Sequence, residues 1–217
     1  MLFVLALSTS IFAQSAQFGL KAGLNESTAD VGKTTSKISN LSGLNAGAFA
    51  EFQFKKISLQ PGLYFTQKGY NSKTSIIVPY PQGPTDGSFN ATGRVRLNYL
   101  QLPVNVLYNA AVKGGKIFFG AGPYYGYAIS GNGKGTATSV TPNGTYVNSQ
   151  NANIVFGGES GYKRSDFGLD ALAGFKFKNG LLINVNYEYG LTNIYKSQYS
   201  ITDKNRVLGI SAGYQFL

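Results

Sequence analysis

The feature that most constrains this chain is strict alternation. In LNYLQLPVNVLYN, residues 97–109, Leu100, Leu102, Val104, Val106 and Tyr108 are apolar. Tyr99, Gln101, Pro103, Asn105 and Asn109 lie between them and are mixed, mostly polar. A period of two means a strand with two unlike faces. The fold then turns on what the apolar face touches. In a soluble barrel it would fill a dry core; in a membrane barrel it would face lipid. Pro103 adds a second constraint, because it brings no N–H to a ladder in mid-strand.

Seven further segments show the same period: 17–25, 43–54, 57–70, 116–130, 165–177, 181–193 and 206–217. Their connections alternate long and short. KK at 55–56, AAVKGG at 110–115 and KNG at 178–180 are tight turns; 26–41, 71–95, 131–164 and the stretch before the last strand are long and polar. Within 131–164, TYVNSQNANIVF reads as a short hairpin extension. A soluble meander has no reason to keep that beat. A transmembrane barrel does, with short periplasmic turns and long outer loops. Strands of about 9–13 residues suit a tilted span. The expectation is an all-β chain, an eight-stranded antiparallel up-and-down transmembrane β-barrel over 17–217. The opening MLFVLALSTSIFAQSA, residues 1–16, reads as a secretory signal peptide: a short apolar run and then small residues, although it lacks a basic start.

The two faces support the inverted arrangement. Lys21, Glu51, Lys68, Gln101, Asp166, Asp170, Lys176 and Glu188 share the face opposite the apolar stripe, with several Asn and Gln. Phe52, Phe65, Phe119, Tyr125, Phe175 and Tyr187 on the apolar face are too bulky for the inside of an eight-stranded barrel, whose lumen only just holds side chains. Turned outward they meet lipid. The charged residues then form a polar network in the lumen, Glu51, Asp166, Asp170 and Glu188 pairing with Lys21, Lys68 and Lys176. Tyr70, Tyr108, Tyr127, Tyr189, Phe54, Phe177, Tyr214 and Phe216 near strand ends are expected at the membrane interfaces. Pro103 is expected to face inward, with a local bulge or a lumen group beside the unpaired carbonyl opposite.

Composition narrows the chemistry. There is no His and no Cys, which removes the commonest general base, His-dependent triads, thiolate metal sites and disulfides. Asp166 and Asp170 are neighbours on one face and are read as lumen ion-pairing groups, not as a catalytic pair. GNGKGT at 131–136 lacks the spacing of a phosphate loop. Asp30, Asp86, Glu159 and Asp203 stand alone in loops and make a poor calcium site. No catalytic residue, cofactor or metal is expected. The net charge of +10 comes from scattered Lys and Arg, which fits loops and turns flanking anionic headgroups and no nucleic acid.

The segments FGLKAGLN, SLQPGLYFTQKG, NYLQLPVNVLYN, FFGAGPYYGY, SDFGLDALAGFKF, YEYGLTNI and NRVLGISAGYQF, in that order, resemble the PorT-like outer-membrane β-barrel family of Bacteroidetes, the "porin family". The resemblance implies an eight-stranded barrel in the outer membrane of a Gram-negative bacterium. Its partners would be outer-membrane lipid and, during insertion, the barrel-assembly machinery. It also implies a charged residue at Gln101 and an Arg in the strand of Asn186 and Glu188, so an interior charge pair is expected to be rewired here. The functional expectation is a non-enzymatic barrel with a structural or loop-mediated binding role. The alternatives are a narrow small-solute pore or an accessory of protein secretion, and a soluble lipocalin-like ligand-binding barrel.

Overall fold

A computed structural model describes residues 16–32, 34–79, 86–157, 161–196 and 202–216. The expected leader falls outside these residues, apart from Ala16. Among the described residues twelve strands form: β1 (Ala16–Asp30), β2 (Lys37–Ser39), β3 (Leu41–Phe54), β4 (Ile57–Val78), β5 (Gly87–Val112), β6 (Gly115–Thr141), β7 (Gly144–Asn153), β8 (Gly161–Tyr162), β9 (Ser165–Phe177), β10 (Leu181–Gly190), β11 (Tyr195–Lys196) and β12 (Lys204–Gln215).

Eight of them close a ring in the order β4-β3-β1-β12-β10-β9-β6-β5, and β5 returns to β4. Every pairing in the ring is antiparallel, with β1 against β12 at the closure. Closure leaves no free edge in the ring. The tight turns fall where the sequence places them. Lys55, Gly114 and Gly180 take the left-handed backbone conformation there.

The faces are inverted relative to a soluble barrel. Leu100, Leu102, Val104, Val106 and Tyr108 are exposed, whereas Tyr99, Gln101, Asn105, Leu107 and Asn109 are buried. The same holds around the ring, from Phe18 and Leu20 on β1 to Ile210 and Tyr214 on β12. An apolar surface this continuous is untenable in water and is what a lipid-facing wall requires. Two small apolar clusters remain inside: Phe49, Tyr64 and Leu182, and Leu107, Phe118 and Leu172. Glycine makes room for their rings. A Cβ at Gly174 would strike Phe118, and one at Gly19 would strike Phe49.

Three details differ from the sequence reading. First, β4, β5 and β6 run well past the expected strand ends, so much of 71–95 and 131–164 is strand; β7 pairs with β6 as a hairpin. Second, Pro103 is buried as expected, but no bulge forms there. Bridges between Gly62–Leu63 and Leu102–Pro103 are missing, and pairing resumes in the same register. The closed ring holds both strands in place across the gap. The bulge lies higher, at Asn98/Tyr99 against β6. Third, Tyr70 is no interfacial residue: it turns inward, its hydroxyl 3.0 Å from that of Tyr162.

Candidate functional site

The lumen is built in levels, because alternate residues of every strand point into it. Near the tight turns, Lys176 Nζ lies 2.9 Å from Glu51 Oε2. Ser58 Oγ donates to Glu51 Oε1 at 2.8 Å and Gln215 Nε2 to Glu51 Oε2 at 3.1 Å. Lys176 also donates to Gln215 Oε1 at 2.6 Å.

Toward the other end, Lys68 lies 2.7 Å from Glu188 Oε2 and 3.2 Å from Asp166 Oδ2, with the side chains of Lys68 and Asp166 wholly buried. Asp166 also accepts from Tyr124 at 3.2 Å, Asn205 at 2.9 Å and Thr192 at 3.3 Å. The Lys68 ammonium sits 4.2 Å from the Tyr124 ring centre, a cation–π contact within the same layer.

Between these layers the charges stand apart. Lys21 has one long hydrogen bond, 3.5 Å to Gln60 Oε1, and the rings of Phe49 and Tyr64 at 5.2 Å. Asp170 accepts from Asn105 at 2.9 Å and Asn186 at 3.1 Å, with no ammonium in contact. Both line a cavity of about 40 Å³ with Gln60, Gln101 and Asn184. Buried oxygens of Gln101, Asn105 and Asn184 lack a protein partner. A polar cavity of this size suits a few ordered waters.

The far mouth is stoppered. Ile194, from the segment after β10, packs on Leu97, Tyr99 and Ala128, with Ile154, Phe156 and Tyr162 around them. Its amide donates to Asp203 O at 2.8 Å. Asp203 is only 2% exposed, and Tyr70 donates to its Oδ2 at 3.3 Å. Burial pushes this carboxyl up to about 6, although the Tyr70 and Tyr162 hydroxyls pull the other way. So Asp203 does not stand alone in a loop, as the sequence reading has it; it is part of the stopper.

A family model described as "Outer membrane protein beta-barrel domain" matches residues 12–196. The chain belongs to that family. As an outer-membrane barrel protein it sits in the outer membrane of a Gram-negative bacterium, its apolar wall against lipid. Solved structures similar to it include Ail of Yersinia pestis in complex with a heparin analogue, at 15% identity and TM-score 0.41, covering 93% of this chain and 99% of that one. OprG of Pseudomonas aeruginosa is similar at 15% identity and TM-score 0.38, covering 94% and 97%. Neisserial surface protein A is similar at 14% identity and TM-score 0.36, covering 91% and 95%. No curated protein matches the chain.

Within this barrel Glu51, Lys68, Gln101, Asp166, Asp170, Lys176 and Glu188 are buried, and Lys21 lines the central cavity. Lys68, Asp166 and Glu188 come together, as do Lys176 and Glu51; Lys21 and Asp170 do not touch. Gln101 Nε2 donates to Glu188 Oε1 at 2.7 Å, so Lys68 supplies the cation for this pair of positions. Tyr124 and Asn205 also belong to the network, through Asp166, beyond the residues the sequence points to. Asn205 has lumen parity two residues before Val207, but the sequence reading begins the last strand at Arg206. Among the described residues no group of three or more metal-binding side chains converges.

Proposed function

We propose that this chain is a closed, non-enzymatic outer-membrane barrel that does not conduct solutes, its work being structural or carried by the strands that project beyond the membrane. One observation carries this reading: two ion-paired layers and an apolar stopper cross the lumen, with room for only about 40 Å³ between the layers. An eight-stranded lumen filled by side chains leaves no aqueous path. The lumen carboxylates are buried and held by hydrogen bonds, and no imidazole or thiol exists to work with them. Rigid barrels of this kind present variable outer segments for recognition.

The finer placement belongs to the same proposal. The ordered segments quoted above support membership of the PorT-like group, and with it delivery by a 1–16 leader and insertion by the barrel-assembly machinery. A role in secretion has no separate observation behind it. The test is planar-bilayer recording of the refolded protein. A silent membrane after verified insertion supports the closed barrel, and discrete open steps sink it in favour of a narrow pore.

A further inference from the structure

Above the apolar belt the outward face changes character. Phe65 and Leu100 are partners on the row where the continuous apolar belt of β4 and β5 ends; exposed apolar side chains return on this face only at Ile77 and Val140, farther out. The register runs on without a shift to Val78 and Gly87, so Lys73, Arg94 and Arg96 point to the same side as Leu100. Lys134, the register partner of Arg94, joins them from β6. At ~3.4 Å per residue and a tilt of roughly 40°, Arg96 lies ~10 Å, Arg94 and Lys134 ~15 Å, and Lys73 ~20 Å above Leu100.

The cations on this face are set against one another. Lys37 pairs directly with Lys73, and Arg94 with Lys134. Like charges directly opposite destabilise a ladder. Among the described residues none of these cations has a carboxylate within ion-pair distance. Glu26 shares the outward face two strands away, held by the Ser42 hydroxyl; the Ser42 carbonyl accepts from Arg96 Nη2 at 3.3 Å. Arg94 is aimed by its Nε, which donates to Asn71 Oδ1 at 3.0 Å and leaves its terminal nitrogens unengaged. A groove of about 340 Å³ opens here, its lining including Asn71, Lys73, Thr92, Arg94, Lys134 and Thr136.

We propose that this face binds the phosphorylated, acidic saccharide headgroup of an outer-leaflet glycolipid. The assignment rests on the outer-membrane placement of the barrel. Height selects the occupant. An ordinary headgroup layer is only ~5–8 Å thick, whereas these cations reach farther, to where an anionic saccharide core stands. Charge selects it too, because an anion between Arg94 and Lys134, and another by Lys37 and Lys73, would relieve both repulsive pairs. The unengaged guanidinium nitrogens of Arg94 suit a bidentate phosphate contact. On the opposite side of the barrel Arg206 is instead paired with Asp30 at 3.2 Å.

The test uses the full chain refolded in detergent micelles, read by its thermal unfolding midpoint on heat-modifiability gels. Rough lipopolysaccharide with an intact phosphorylated core is titrated in, alongside its enzymatically dephosphorylated form and inorganic phosphate. Phosphorylated glycolipid is expected to raise the midpoint. The Arg94→Gln/Lys134→Gln variant is expected to need at least about tenfold more of it for half the effect, equivalent to about 1.4 kcal/mol. The unliganded variant should be no less stable than the parent, since a repulsive pair has been removed. Lys37→Gln/Lys73→Gln provides a second, independent variant with the same expectation. A variant that titrates like the parent, equal action of the dephosphorylated form, or full reproduction by inorganic phosphate overturns the proposal. Failure of the parent to form a heat-modifiable barrel overturns the membrane placement, and the proposal with it.

Discussion

The two ion-paired layers and the space between them are made from the same residue types, yet they are held differently. In the layers each ammonium touches a carboxylate: Lys68 with Asp166 and Glu188, Lys176 with Glu51. Between them Lys21 and Asp170 face a common cavity and bond only to amides. The difference teaches where the barrel is rigid. A buried charge in direct contact with its partner is strongly destabilising to break, because the partner is left uncompensated. A charge solvated by amides and a pocket of polar space has alternatives.

The sharpest break of this comparison is Lys68→Met. It strands two buried carboxylates and is expected to lower stability by about 3–5 kcal/mol, measured by urea unfolding in micelles. Adding Asp166→Asn and Glu188→Gln to that variant should recover much of the loss. Failure to recover would mean that shape, not charge, carries the layer. Lys176→Met comes next, at about 2–3 kcal/mol, because Ser58 and Gln215 still donate to Glu51. Similar losses at Lys68 and Lys176 would argue against counting stranded charges.

Asp203 is a third case, a buried carboxyl with tyrosines but no lysine around it. Its folded value is raised to about 6, so its protonated form favours the closed mouth. That contribution is fully present below its unfolded value near pH 4 and is lost as pH rises through about 6. Amide exchange at Ile194 should therefore quicken between pH 4 and 6 beyond the intrinsic trend, and Asp203→Asn should flatten the excess. A profile unchanged by Asp203→Asn would remove the carboxyl from the stopper's energetics. The smallest effect is expected in the middle. A double-mutant cycle of Lys21→Met and Asp170→Asn should give a coupling below about 1 kcal/mol, against several for Lys68 and Glu188. Equal couplings would erase the distinction between the levels.

Much of this architecture is legible in the chain. Alternation gives the eight strands and both faces, and the beat of the connections gives the direction of the barrel. The charge partners are not legible, because they follow from how the closed ring is staggered. Lys68 and Asp166 are 98 residues apart, and Lys176 and Glu51 125. The projecting strands escape notice for another reason. In stretches such as GNGKGTATSV both faces are small or polar, so a period of two leaves no contrast to see. The stopper is hidden in the same way: Ile194 is one apolar residue in a polar connection, and only the folded mouth gives it partners.

The central claim is that the apolar stripe faces lipid and the charged stripe faces the lumen. The chain has no cysteine, so single-cysteine variants at 100 to 107 carry one spin label each without background. In lipid bilayers, the labels can be probed for collision with oxygen, which partitions into lipid, and with a water-soluble nickel chelate. High oxygen accessibility is expected at 100, 102, 104 and 106 and low accessibility to both reagents at 101, 103, 105 and 107. Loss of that alternation, or its reversal with the nickel reagent reaching the even positions, would contradict the inverted barrel.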